Sequence, residues 1–361
     1  MYDEIKSREL IDCGIREMRN MPRWSPIKRA KRLARKYIKR QLVEPLDLIP
    51  WPIGCVAIGL LAADPMGDGV TAVKRYADRW IRKGAGVYTL DDLLFGQSVL
   101  GLYEKTQDPA YQKAAREMMQ FLKVHPRDRM GSMPYRPLHK DEMIYADGIG
   151  MVCPFAIRYG LLFDDPDAVK LGVRQLRNFM EFGKIPETGT YTHAYRYEEG
   201  PACFGQPGWG RAIGWICYGI AESLKAFEMY FAAAEENAEG RELSAETDAA
   251  KTVNVLYTEL QEELQRYAQR MRLFAEQYRR PDGTFGSVLA DEKTPVDTSA
   301  TAMILLLTAP ETGYGILEPY VSADGVTGAQ GECISLTEYS ANYGSYPWSV
   351  GMTLKLLAEY R

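Results

Sequence analysis

The sequence predicts an all-α protein, an (α/α)6 barrel of six helical hairpins, and three observations carry that prediction. Apolar residues recur at helical spacing through long segments of good helix formers, while alternating strand patterns are scarce. Two segments, "DPAYQK" at 108–113 and "DPDAVK" at 165–170, share a DPxxxK pattern, and each opens an amphipathic helix with Asp as N-cap and Pro in the first turn. Six further segments start with a polar or aromatic residue and continue in small and apolar ones with no broad charged face. Helices of that kind are buried all round, whereas the amphipathic stretches between them suit an outer ring. An inner and an outer helix, repeated six times, make the barrel.

Taken in order, residues 1–45 read as N-terminal outer helices of a single domain spanning 1–361. Within them "IKRAKRLARKYIKR", 27–40, is strongly basic, with Ile27, Ala30, Leu33, Tyr37 and Ile38 at helical spacing. A basic amphipathic helix can bind lipid or phosphate, but the expectation here is the solvated face of a surface helix. Inner helices are expected from Trp51 ("WPIGCVAIGLL"), from Asp91 or Asp92 ("LDDLLFGQSVLGLY") and from Asp147 ("IYADGIGMVCPF"). Three more start at Trp209 ("WGRAIGWICYGI"), Asp297 ("DTSATAMILLL") and Tyr346 ("YPWSVGMTLKLL"). Segments 108–123, 166–182 and 246–278 are amphipathic and belong outside. If the inner helices run parallel, their N-termini form one rim that gathers Asp91, Asp92, Asp147, Trp209, Arg211, Trp215, Asp297 and Trp348.

Composition narrows the functional classes. The 361 residues carry a formal net charge of −4, so there is no global electrostatic case for nucleic acid or for an anionic membrane. The six cysteines are scattered without a CxxC pair and read as reduced thiols. The N-terminus lacks a signal-peptide core, and the apolar run at 49–63 is too short for a bilayer and holds two prolines, so a cytoplasmic location is expected. The three histidines lie in separate segments with no metal-ligand spacing. That speaks against a zinc or iron mechanism, and the absence of GxSxG, P-loop and GxGxxG patterns removes the commonest hydrolase, NTPase and dinucleotide readings, so no metal or other cofactor is expected.

Asp147 is the residue that needs an explanation, because a buried unpaired carboxylate is costly. A cap at the start of a helix would account for it alone. It would not account for acids, tryptophans and an arginine converging on one mouth. Aromatic faces stack on sugar rings, an arginine holds a carboxylate bidentately, and helix N-termini favour anions, so the mouth suits an acidic sugar. Neighbouring carboxylates push one another toward the protonated form, as a general acid requires, while the helix dipole pulls the other way.

The ordered motifs "DDLLFGQSVLGLYEKTQDPAYQKAA", "HPRDRMGSMPYRP", "IYADGIGMVCPFAIRYG", "GTYTHAY", "WGRAIGW" and "DTSATAM" resemble the unsaturated glucuronyl and rhamnogalacturonyl hydrolases, glycoside hydrolase families 88 and 105, with family 105 closer. The resemblance spans about residues 50–360 and itself implies an (α/α)6 barrel. It implies hydration of the C4=C5 enol ether of a Δ4,5-unsaturated uronyl saccharide, pectin- or rhamnogalacturonan-derived disaccharides being the expected substrate. By position Asp147 matches the general acid/base, and Asp92 the second acid, with Asp91 as a cap or lesser partner. Arg211 would hold the uronate carboxylate, Trp209 and Trp215 would stack, and His193 would bind a sugar hydroxyl. One departure stands out: where many members read "GxFWHK" this chain reads "GSMPYRP", so Tyr135 and Arg136 replace an aromatic–histidine pair. The competing readings are an inverting glycosidase on saturated acidic sugars and a non-enzymatic oligosaccharide-binding protein. The oligomeric state is open.

Overall fold

A computed structural model describes residues 4–20, 26–40, 51–135, 142–239, 248–333 and 335–360. Six inner helices, α3 (Trp51–Ala63), α5 (Asp92–Thr106), α7 (Ala146–Leu162), α9 (Gly210–Glu239), α11 (Thr298–Thr308) and α13 (Pro347–Glu359), each pack on the next, and α13 packs back on α3. The ring is therefore closed. Outside it lie α1 (Glu4–Asn20), α4 (Asp68–Arg82), α6 (Pro109–Val124), α8 (Pro166–Phe182), α10 (Asp248–Glu276) and the short α12 (Gly313–Leu317), each contacting the two inner helices that it bridges. The expected (α/α)6 barrel is the observed one. One element stands apart: α2 (Pro26–Tyr37), inside the N-terminal segment read as outer helices, makes no extensive contact with ring or jacket.

The caps follow the sequence pattern. Asp108 accepts from the Ala110 amide at 2.9 Å and Asp165 from the Ala168 amide at 3.1 Å, each with Pro at the next position. Asp297 caps α11 through the amides of Ser299 (3.0 Å) and Ala300 (3.3 Å). Inner helices can lie this close because their contact faces are nearly bare backbone. A Cβ at Gly351 of α13 would sit 2.3 Å from the Cys55 carbonyl of α3, and one at Gly59 would sit 2.2 Å from the Gly351 carbonyl.

Alternation of inner and outer helices puts all inner N-termini at one end. The connections that enter them, 83–91, 125–145, 183–209, 277–297 and 318–346, are longer than most of those leaving at the other end. Two of them pair into a small antiparallel sheet, β1 (Ile144–Tyr145), β2 (Ala194–Tyr197) and β3 (Pro201–Phe204), in which Tyr145 lies opposite Ala194. The last carries a hairpin in which Ala329 and Gln330 pair with Gly344 and Tyr343.

Candidate active site

Asp147 does not cap its helix. The N-cap of α7 is Tyr145, and Asp147 sits in the first turn with its side chain 21% exposed. Its Oδ2 lies 3.0 Å from Nε2 of His193, which is 3% exposed and is delivered by the start of β2. The Ala146 amide donates to the His193 carbonyl at 2.9 Å, so strand pairing holds acid and imidazole together. On the far side of the ring Nδ1 is 3.0 Å from the Tyr339 hydroxyl, whose oxygen also accepts from the Gln206 amide at 2.8 Å. These partners fit one tautomer. Nε2–H donates to Asp147, Tyr339 O–H donates to Nδ1, and the amide fills the hydroxyl's acceptor side.

Burial raises the Asp147 pKa, but the field and hydrogen bond of the His193 ring, then the Arg211 guanidinium and a backbone amide, outweigh it and hold the carboxyl below the usual range. The same field reaches Cys333: burial and the Asp147 charge push its thiol up to about 11, with Arg211 opposing. All cysteines among the described residues are free thiols.

Arg211 is 2% exposed, and its guanidinium lies over the rings of Trp209 (4.7 Å) and Trp348 (5.5 Å). Nη1 donates to the Gln330 carbonyl at 2.8 Å and Nη2 to the Gly331 carbonyl at 2.9 Å. These two bonds use two of the five N–H donors of the guanidinium. Trp209 and Trp215 are each 1% exposed, which leaves little face for stacking on a sugar. Trp209 instead backs His193 with ring centroids 4.2 Å apart, and Trp215 packs against Trp51 and against Gly150, where a Cβ would come within 2.4 Å of its ring. The partly exposed rings of this cluster are Trp51, Tyr145, Tyr339 and Tyr346.

The two acids before α5 have different settings. Asp92 is fully buried, and its Oδ2 accepts from the amides of Tyr88 (2.7 Å) and Thr89 (3.0 Å), which fixes the turn into α5. Asp91 occupies the N-cap position without a side-chain cap bond and accepts from the Tyr135 hydroxyl. Tyr135 packs at a tilt on Tyr145, and Tyr145 meets His193 edge to face, so Asp91 joins the Asp147 cluster through two rings. Asp297, besides capping, accepts from the Gln330 amide at 3.3 Å. Arg136 lies outside the described residues.

Sequence reasoning missed the hairpin. Gln330 takes the Trp209 indole N–H on its side chain (2.8 Å) and the Trp348 indole N–H on its carbonyl (3.2 Å), besides its bonds to Arg211 and Asp297. A tyrosine-rich stretch between glycines just before an inner helix was the available signal. No group of three or more His, Cys, Asp or Glu able to hold a metal occurs among the described residues.

A helical barrel whose mouth joins a carboxylate, an imidazole, an arginine and a wall of aromatic rings defines a saccharide-processing class of enzyme. The family model of Glycosyl Hydrolase Family 88 matches residues 66–330, well over half of the chain, and the chain belongs to that family. It is a glycosidase-type enzyme. Solved structures with the same fold include a possible family 105 member from Klebsiella pneumoniae (TM-score 0.77, 14% identity, covering 99% of this chain and 93% of that one). Another is the unsaturated glucuronyl hydrolase of Bacillus sp. GL1, described as responsible for glycosaminoglycan degradation (TM-score 0.64, 13% identity, 98% and 95% covered). A third is a family 88 hydrolase from Bacteroides vulgatus (TM-score 0.59, 16% identity, 98% of each chain).

Proposed function

We propose that this enzyme hydrates the C4=C5 enol ether of Δ4,5-unsaturated uronyl saccharides, with Asp147 as general acid/base and with pectin- or rhamnogalacturonan-derived disaccharides as substrates. The observation that carries the proposal is the Asp147–His193 pair, 3.0 Å apart at the mouth of a family 88 barrel. In the free enzyme the imidazole and Arg211 favour the carboxylate. A bound uronate brings a second negative charge and displaces water, and both raise the Asp147 pKa toward the protonated form. Asp147 then delivers its proton to C4, water adds at C5 with Asp147 taking a proton back, and the resulting hemiketal opens, freeing the neighbouring sugar.

Asp92, fully buried, acts in this proposal as a positioning acid that fixes the turn carrying Asp91, and Asp91 with Tyr135 forms the rim. Arg211 clasps the hairpin and holds the uronate carboxylate with its other N–H donors, while the partly exposed rings of Trp51, Tyr145 and Tyr339 offer stacking surface.

The test is the ultraviolet absorbance of lyase-generated disaccharides, pectic and glycosaminoglycan, followed with wild type and Asp147→Asn side by side. Wild type is expected to bleach the pectic chromophore, and the folded Asn variant to be slower by roughly 10²–10⁴-fold, the usual size of general acid–base assistance. Release of sugar from saturated acidic substrates without bleaching would favour an inverting glycosidase. Tight binding without turnover, surviving the substitution, would favour a binding protein.

A further inference from the structure

Between 27 and 40 the chain has eight Lys or Arg and no Asp or Glu, although the whole chain has a net charge of −4. On a helix turning about 100° per residue, Leu33, Tyr37, Ala30, Ala34, Ile27 and Ile38 fall on one uninterrupted arc, and all the basic residues fall on the other. In the structure this segment is α2 and its last turn, closed by the Ile38 amide on the Ala34 carbonyl at 2.9 Å.

The surface-helix expectation requires the apolar arc to pack on the body. It does not: Ile27 is 68% exposed, Leu33 48%, Tyr37 69% and Ile38 80%. Lys31, Arg35, Lys36, Lys39 and Arg40 are exposed as well. Arg32 and Ala34 are half-buried, but the other described residues of both arcs, one apolar and one cationic, are exposed, and such a helix matches one kind of partner on both counts.

We infer that α2 docks peripherally on an anionic lipid surface, its apolar arc set among the acyl chains and its cations at the headgroups. A polyanionic saccharide would satisfy the cations but leave Ile27, Leu33, Tyr37 and Ile38 in water. A second copy pairing through the same arc would cover the apolar residues but leave the cationic arc without a partner. The inference does not depend on which saccharide the mouth accepts.

The test is sedimentation of the full chain with vesicles of phosphatidylglycerol mixed with phosphatidylcholine, against phosphatidylcholine alone. Two variants accompany it: Leu33→Asp with Ile38→Asp, and Lys31→Gln with Arg35→Gln, Lys36→Gln and Lys39→Gln. Binding is expected only to the anionic vesicles, weakened by added salt and reduced about tenfold or more in each variant, with turnover of soluble substrate unchanged. Absence of vesicle binding by wild type overturns the inference. So does full binding by the Leu33/Ile38 variant, which would mark a purely ionic, saccharide-like partner, or a change from dimer to monomer in that variant on gel filtration.

Discussion

The proton on His193 has its place chosen by two neighbours, and one of them is a hydroxyl that also accepts from the Gln206 amide. Tyr339 donates to Nδ1 and so keeps the ring's own proton on Nε2, facing Asp147. Tyr339→Phe deletes that donor and leaves Asp147 alone to hold the tautomer. Losing one such hydrogen bond is expected to lower kcat by about tenfold, or roughly 1.4 kcal/mol, with little change in KM; steady-state kinetics on the bleached disaccharide would show it. Asp147 itself stood out in the sequence as a charge in an apolar run, and the resemblance pointed to His193. Tyr339 did not stand out, because its partner is distant in the chain and no local pattern marks a hydroxyl that acts through another ring. Trp209 and Trp215 misled for a related reason: a motif says that a tryptophan is near the mouth, not whether its face is open.

At the level of elements, the six inner helices were legible because each lacks a charged face, and the outer ones because Asp108 and Asp165 announce their starts. The hairpin at 329–344 was not legible. It has two-residue strands, and what holds it is Arg211, Trp209 and Trp348 meeting Gln330 across the mouth, all long-range contacts. The apposition of α3 and α13 was equally hidden, since glycine in a helix shows no more than an absent side chain. Gly351→Ala places a methyl into the backbone of α3 and is expected to cost at least 1–3 kcal/mol, as overpacking does. Urea unfolding would measure it, with Gly315→Ala, where a Cβ meets nothing closer than 3.6 Å, as the control.

For the molecule as a whole, acid sensitivity follows from the carboxyls that the fold holds ionised. Burial works against ionisation of Asp78, Asp165 and Glu263, but Lys74, Lys123 and Arg177 outweigh it, as His193 does for Asp147. A carboxyl depressed in the folded state stabilises fully above its unfolded pKa, about 3.9 for Asp, and loses that contribution as pH falls through the lower folded value. Asp147→Asn removes one such contribution. The stability gap between wild type and this variant is therefore expected to narrow as pH drops from about 5 to 3, read from denaturant midpoints at each pH.

Closure of the ring also sets when the enzyme can first act. Trp51 packs on Trp348 at 4.8 Å, yet one opens the first inner helix and the other belongs to the last. Contacts so distant in sequence form late, because the loop between them must be closed before they are rewarded. A growing chain on the ribosome can assemble hairpin after hairpin and still lack a mouth, with the Asp147–His193 pair built but its aromatic wall and hairpin missing. Activity arrives only when α13 emerges and docks against α3, so a chain cut short of α13 is expected to be inert.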